Sequence, residues 1–227
     1  MADTAAVFFD VDFTLIRPGR RFLGPGYAET CAKHGVGVES AAFDAAVAGA
    51  AVLLDSEHQR YHAELFVNYT ARIIELMGGQ GPGVLAAARE IYDDWAHHHH
   101  FEMYDDVPEA LLTLHERGLR LGLISNSHRS LASFQTHFAL DRLMSVSVSS
   151  VEFGVMKPDP RIFQEALDRM HVPADQAVMV GDSLAHDVHG ARQVGMRGVW
   201  LDRSQNGTVD DPTIPVIRSL TELADVL

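Results

Sequence analysis

One cysteine in 227 residues, Cys31, leaves no partner for an internal disulfide. Basic side chains are scarce: 18 Lys and Arg stand against 31 Asp and Glu, a net charge of −13. A general nucleic-acid or anionic-membrane binder needs a basic face to offset phosphate repulsion, so neither partner is expected. Lysine is scarcest of all. Sixteen of the 18 basic residues are Arg, and Lys33 and Lys157 are the two exceptions. Arg binds as a planar, permanently charged fork and Lys as a compact point charge, so each retained lysine invites a reason, although codon bias accounts for the general skew. Long apolar runs are missing too; Gly, Asp or Arg interrupts each one well before the ~20 residues of a membrane span. The opening MADTAAVFFDVDFTLI has Asp3 where a signal peptide needs basic residues. A cytoplasmic location is therefore expected, in which the glycosylation-like triplets at Asn68 and Asn206 are chance.

The remainder, 47% hydrophobic and 22% charged, can bury a sizeable core as one large domain or a core plus an insert. The apolar run Ala5–Phe9, ending at Asp10, predicts a buried strand. From about Arg17 to His100 the pattern is helical only: Tyr27–His34 closed by Gly35, an Ala-rich Ser40–Leu54, a long His58–Met77, and Val84–Trp95 after Pro82. Strand and helix then alternate. Helices are predicted at Val107–Arg117, Ser130–Phe138, Pro160–Met170 and Leu184–Val194, and strands at Leu119–Ile124, Ser145–Val148, Ala177–Val180 and Gly198–Leu201. Asp159 suits the N-cap of the Pro160 helix, with proline at its first position. Ser219-Leu-Thr-Glu222 reads as a capping box opening a last short helix. This alternation implies an α/β fold: a Rossmann-like three-layer core with a parallel sheet covered on both faces, interrupted by an all-helical insertion.

In such a sheet ligands bind beyond the carboxyl ends of the strands. The residues there share a theme. The first strand runs into Asp10-Val11-Asp12-Phe13-Thr14, the next ends in Ser125-Asn126, a later loop carries Lys157-Pro158-Asp159, and a further strand ends in Gly181-Asp182-Ser183 with Asp187 five residues on. Four converging carboxylates repel one another and need a cation. A hard divalent ion such as Mg²⁺ takes carboxylate oxygens and leaves positions for phosphate and water. Lys157, Ser125 and amide hydrogens at helix starts suit phosphate oxygens. Asp10 and Asp12 point to the same side, so one can attack while the other handles protons. Asp187 also suits a first-turn acid on a helix, and Ser125 and Asn126 also suit the start of the next helix.

The four segments, in order, resemble the four motifs of the haloacid dehalogenase superfamily, specifically its phosphatase branch with a helical cap inserted after the first motif. DVDFT is similar to the DxDxT motif, the strand ending LISN to the second, the lysine of VMKPDPRIF to the third and GDSLAHD to the acidic fourth. The resemblance implies a core domain of 1–16 and 101–227 and a cap of 17–100. It implies that Asp10 becomes a phospho-aspartate, and that Asp12 protonates the leaving alcohol and then deprotonates the hydrolytic water. It further implies Mg²⁺ held by Asp10, the backbone carbonyl of Asp12, Asp182 and Asp187 (direct or through a second layer), with Thr14, Ser125 and Asn126 binding the site or the phosphate and Lys157 neutralising phosphate and nucleophile. The expected activity is hydrolysis of a small-molecule phosphomonoester. A sugar phosphomutase uses the same aspartyl phosphate. A phosphonate hydrolase needs a cap amine, for which Lys33 is the one candidate; a dehalogenase does without the metal and the second acid; a decayed core would be a non-catalytic binding module.

Four features stand outside this scheme. Phe13 occupies a position where many relatives have Gly in a sharply turning loop. His97–His100 reads as an exposed helix end or hinge, with a soft-metal site as the alternative. His186 and His189 flank the fourth motif as surface or supporting residues. Arg20 and Arg21 are either solvated charges or a greeting for an anionic substrate.

Overall fold

The computed structural model describes residues 3–54, 62–205 and 207–227. It divides into two compact units, one of residues 1–17 with 103–227 and the other of residues 18–102.

The first unit is built on six parallel strands: β1 (Ala6–Phe9), β4 (Arg120–Ser125), β5 (Met144–Ser149), β6 (Ala177–Gly181), β7 (Arg197–Leu201) and β8 (Val216–Ile217), in the order β5-β4-β1-β6-β7-β8. All four residues of β1 are fully buried, as befits an apolar strand with neighbours on both sides. Successive side chains alternate between faces. On one face Phe8, Ile124, Val148 and Met179 meet α8 (Pro160–Met170), whose Ile162, Phe163, Ala166, Leu167 and Met170 form a single apolar stripe. Each of the larger side chains in that stripe contributes about 1.5–3 kcal/mol at most by leaving water. Asp159 caps α8 by accepting from the Arg161 amide at 2.9 Å, as its sequence predicts, and His171 ends it in a left-handed conformation (φ 51°). On the other face α5 (Val107–Glu116) packs against β4 with Val107, Leu111 and Leu114 buried. The parallel three-layer core expected from the alternation is the fold observed.

Differences lie at element ends and in short pieces. The predicted helix Leu184–Val194 is a π-helix over Leu184–His189 followed by α9 (Gly190–Gln193). The Val188 amide reaches back five residues to the Ser183 carbonyl at 3.3 Å, which widens the turn. Two shorter helices also belong to this unit: α6 (Leu131–His137) and the one-turn α7 (Ser150–Phe153). Ser219 does not close a reciprocal box. Its hydroxyl accepts from the Thr221 amide at 3.3 Å while Glu222 reaches the Arg218 amide at 3.2 Å, ahead of α10 (Leu223–Val226).

The second unit is helical: α1 (Gly24–Lys33), α2 (Phe43–Ala50), α3 (Ala63–Leu76) and α4 (Gly83–Asp94), with α3 packed against α2 and α4, and α1 against α4. The predicted start of the long helix at His58 lies outside the described residues, and His62 stands extended before α3. The stretch expected to be helix only is bounded instead by a two-stranded ribbon of β2 (Ile16–Pro18) and β3 (Phe101–Met103). A proline in a three-residue run gives no strand signal in sequence.

Candidate active site

Asp10 follows β1 directly, and its amide continues the ladder to the Val180 carbonyl at 2.9 Å. The chain then turns back: the Leu15 and Ile16 amides bond the Val11 carbonyl at 2.9 and 3.1 Å, and the Phe13 amide bonds the Ile16 carbonyl at 2.7 Å. The turn forces Phe13 to φ 64°, a left-handed conformation that costs an L-residue roughly 1–2 kcal/mol. The residue is 45% exposed, so little packing offsets that strain.

Lys157 is the electrostatic centre. Its ammonium is buried and donates to Asp10 Oδ1 at 2.6 Å, Asp187 Oδ1 at 2.6 Å and the Ile124 carbonyl at 2.8 Å. Three donors meet three acceptors, so burial leaves none of its protons unsatisfied. The two carboxylates drive its pKa above the ordinary lysine value against the opposing effect of burial. Asn126 was expected at the phosphate. Here its amide group is committed elsewhere: Nδ2 donates to the Lys157 carbonyl at 2.9 Å and Oδ1 accepts from the Lys157 amide at 2.7 Å. It clamps the lysine loop to the end of β4.

Asp187 is 1% exposed and reaches the cluster from the π-helix, its Oδ2 accepting from the Ser183 amide at 3.0 Å. Gly181 makes room for it, since a Cβ there would stand 2.1 Å from Asp187 Oδ2. Asp182 follows Gly181, its carbonyl held by Trp200 Nε1 at 2.9 Å. Asp10, Asp182 and Asp187 each offer an oxygen, and these atoms all lie within 4.8 Å of one another. Crowding shows in their proton affinities: burial, outweighing Lys157, pushes Asp10 up to about 6, and burial with the charges of Asp10 and Asp187 pushes Asp182 up to about 8.

Asp12 has a partner that sequence reasoning missed. Arg129, fully buried, places Nη1 3.0 Å from Asp12 Oδ1 and 3.2 Å from Oδ2. Burial raises the Asp12 pKa and Arg129 pulls it back. Arg129 lies in the loop after β4, where SNSHRS reads as an ordinary helix approach and carries no local signal of this pairing. Arg203, also missed, donates through Nη2 to the Thr14 carbonyl at 2.8 Å and through both terminal nitrogens to Asp106 at 3.0 Å. It lies 3.8 Å over the Tyr104 ring and so ties the first loop to the start of α5. The Thr14 and Ser125 hydroxyls are buried with no hydrogen-bond partner among the described residues. A buried hydroxyl without a partner is costly, and these two suit an incoming polar ligand.

Four carboxylates against two buried cations leave two negative charges uncompensated when all are ionised. That excess and the all-oxygen donor set fit a hard divalent cation. His186 serves its own helix, with its amide and Nδ1 both 3.1 Å from the Ser183 hydroxyl, and His189 is exposed. In the second unit, Arg21 is committed to Asp94, Glu90 and Thr30, and Arg20 to Glu29. Lys33 is 58% exposed and donates to Glu90 at 2.8 Å, an ion-paired amine rather than a desolvated nucleophile.

Comparison with known proteins adds family and fold. A family model described as haloacid dehalogenase-like hydrolase matches residues 55–201. "Haloacid dehalogenase-like hydrolase domain-containing protein 3" of Danio rerio is 30% identical over 227 residues, 96% of this chain and 93% of that one. "Glyceraldehyde 3-phosphate phosphatase" of Pyrococcus abyssi is 31% identical over 203 residues, 86% of this chain and 80% of that one. Two solved structures align over 98% of this chain and 97% of their own: a HAD phosphatase from Thermococcus onnurineus (25% identity, TM-score 0.68) and a 2-haloacid dehalogenase from Pseudomonas syringae pv. Tomato (26%, 0.66). The fold is therefore common to both chemistries, and the side chains must decide between them.

Proposed function

Because the chain belongs to the haloacid dehalogenase-like hydrolases, we propose that it is a Mg²⁺-dependent phosphatase that hydrolyses a small phosphomonoester through an aspartyl-phosphate, with residues 18–102 as its helical cap. The observation that carries this reading is the gathering of Asp10, Asp182 and Asp187 at the strand ends, an acidic excess that calls for a divalent cation. The second acid, Asp12, supports phosphate over halide, because a halide leaves without a proton whereas an alcohol needs one.

Asp10, Asp182 and Asp187, with the backbone carbonyl of Asp12, would hold Mg²⁺, which when bound supplies positive charge to the phosphoryl oxygens. Asp10 attacks phosphorus through a carboxylate oxygen, the P–O bond to the alcohol breaks, and Asp12 delivers its proton to the departing oxygen. Water then attacks phosphorus, Asp12 takes its proton, and the Asp10 carboxylate is released with inorganic phosphate. Lys157 opposes the upward pull of burial on the Asp10 proton affinity and fixes the carboxylate for attack. Arg129 orients the Asp12 carboxylate and opposes the upward pull of burial on its proton affinity. Thr14 and Ser125 present their hydroxyls to the phosphoryl group, and Asn126 positions Lys157.

The test is phosphate release from a panel of metabolite phosphates with and without Mg²⁺. Activity should require the ion and vanish in Asp10→Asn. Substantial turnover by that variant, or an isomerised sugar phosphate in place of inorganic phosphate, would overturn the reading.

A further inference from the structure

The His97–His100 tract takes no part in the proposed chemistry, yet it is organised. α4 ends at Asp94, His97 precedes a single 3₁₀ turn over His98–His100, and β3 begins at Phe101. Asp94, His97 and His100 bring one carboxylate oxygen and two ring nitrogens to within 4.8 Å of one another. His97 Nδ1 already stands 3.6 Å from Asp94 Oδ1, as residues three apart across a helix end can. Ligands on a tetrahedral ion, each about 2.0–2.1 Å from it, are roughly 3.3 Å apart, so this pair needs only a small adjustment.

The carboxylate is also oriented. Arg21 grips Asp94 through Oδ2, with Nε at 2.7 Å and Nη2 on the same atom, which leaves Oδ1 directed at His97. The arginine charge is shared, because its Nη2 also bonds Glu90 Oε1 at 3.0 Å. A carboxylate held on one oxygen and offered on the other is the arrangement by which outer partners orient metal ligands. The His100 ring is held by an edge contact with Phe22, centroids 5.7 Å apart, and by a tilted contact with the His99 ring, centroids 4.0 Å apart. All these residues belong to the second unit.

We propose that Asp94, His97 and His100 form a second metal site, separate from the acidic cluster, that binds a borderline-soft divalent ion of the Zn²⁺ type. Two imidazoles and one carboxylate match zinc in ligand class, and a water fills the fourth position. A hard ion such as Mg²⁺ prefers oxygen donors and is excluded by the imidazoles. The bound ion ties the last residue of α4 to the turn that leads into β3. It acts as a brace on the end of the helical unit and takes no part in the reaction.

The test is titration of tag-free, full-length protein with Zn²⁺ in competition with a chromophoric chelator, in a large excess of Mg²⁺ so that the acidic cluster is occupied; Co²⁺ replaces Zn²⁺ as a visible-absorption probe. One equivalent should bind saturably, give tetrahedral Co²⁺ absorption and raise the melting temperature. His97→Gln, whose side chain is exposed, and His100→Gln should each weaken binding by at least about tenfold. His99→Phe, which keeps a ring against His100 but offers no nitrogen, should bind as the unaltered chain does. Equal weakening in His99→Phe and His97→Gln would mean an unstructured imidazole tract and overturn the proposal. So would the absence of saturable binding, or binding lost in Asp182→Asn and kept in His97→Gln.

Discussion

Gly181→Ala puts the geometry of the acidic cluster to a direct test. The added Cβ would lie 2.1 Å from Asp187 Oδ2, 2.3 Å from its Cγ and 2.7 Å from its Cβ. Ordinary contact requires about 3.5 Å or more, so the carboxylate must retreat by more than about 1 Å. It has nowhere to go, since Asp187 is 1% exposed. Retreat breaks the 2.6 Å bond from Lys157 and the 3.0 Å bond from the Ser183 amide. Hydrogen bonds to charged groups contribute about 1.5–3 kcal/mol each, and overpacking adds about 1–3 kcal/mol. Partial relaxation reduces the sum, and a net loss of about 3–5 kcal/mol is expected, as when a buried ion pair loses one partner. For a chain of this length each kcal/mol is about 2–4 °C, so the melting temperature should fall by about 6–20 °C. Urea denaturation of a double-mutant cycle locates the cause. Asp187→Ala removes the two nearest of those three atoms, so Gly181→Ala should cost at least about 2 kcal/mol less in that background. Additive losses, or a fall of less than about 2 °C in the single variant, would refute this account of why glycine stands there.

Arg129→Met should destabilise the protein by about 3–5 kcal/mol at pH values where Asp12 is ionised. Without the guanidinium the Asp12 pKa climbs further above its ordinary value, so stability should decline more steeply with rising pH than in the unaltered chain, and the alkaline limb of kcat/KM should move to higher pH. Matching slopes and profiles would contradict the pairing. In the metal-free protein, Asp10 and Asp182 keep protons that an unfolded chain would release near 3.8, so their contribution to stability is lost as pH rises from about 4 through about 6 and about 8. Mg²⁺ should flatten that decline, and calorimetry in two buffers should record protons released on binding between pH 6 and pH 8; proton-neutral binding there would count against it. Phe13→Gly relieves the left-handed backbone at φ 64° at the expense of a freer unfolded chain, for a net gain of up to about 1 kcal/mol by urea denaturation. A loss above 1 kcal/mol would mean that the ring packs more than its exposure suggests.

The core was legible in sequence because its signals are local. Apolar runs end in acids at Asp10 and Asp182, and Asp159-Pro160 announces α8. The members of the candidate site were legible for the same reason, since Asp10, Asp12, Lys157, Asp182 and Asp187 each follow a recognisable run or motif. What escaped depends on distant partners. Arg129 looks like any loop arginine until the fold brings Asp12, 117 positions away, to its Nη1. Asn126 looks like a ligand until the Lys157 backbone occupies both ends of its amide. The π-helix is a geometric choice that the helical pattern of Leu184–Val194 cannot express, and β2, β3 and β8 are two or three residues long, too short for any period to register.

The position of β1 has a consequence for biosynthesis. The strand that delivers Asp10 leaves the ribosome before the other five strands of its sheet, yet its neighbours there are β4 and β6, beginning at Arg120 and Ala177. Translation at about 5–20 residues per second keeps Ala6–Phe9 without either ladder for several seconds at least, while residues 18–102 are completed in the interval. A nascent chain halted before Arg120 therefore carries the completed insertion behind an unpaired apolar strand, and that strand is the segment a chaperone would have to shield until the second half of the sheet arrives.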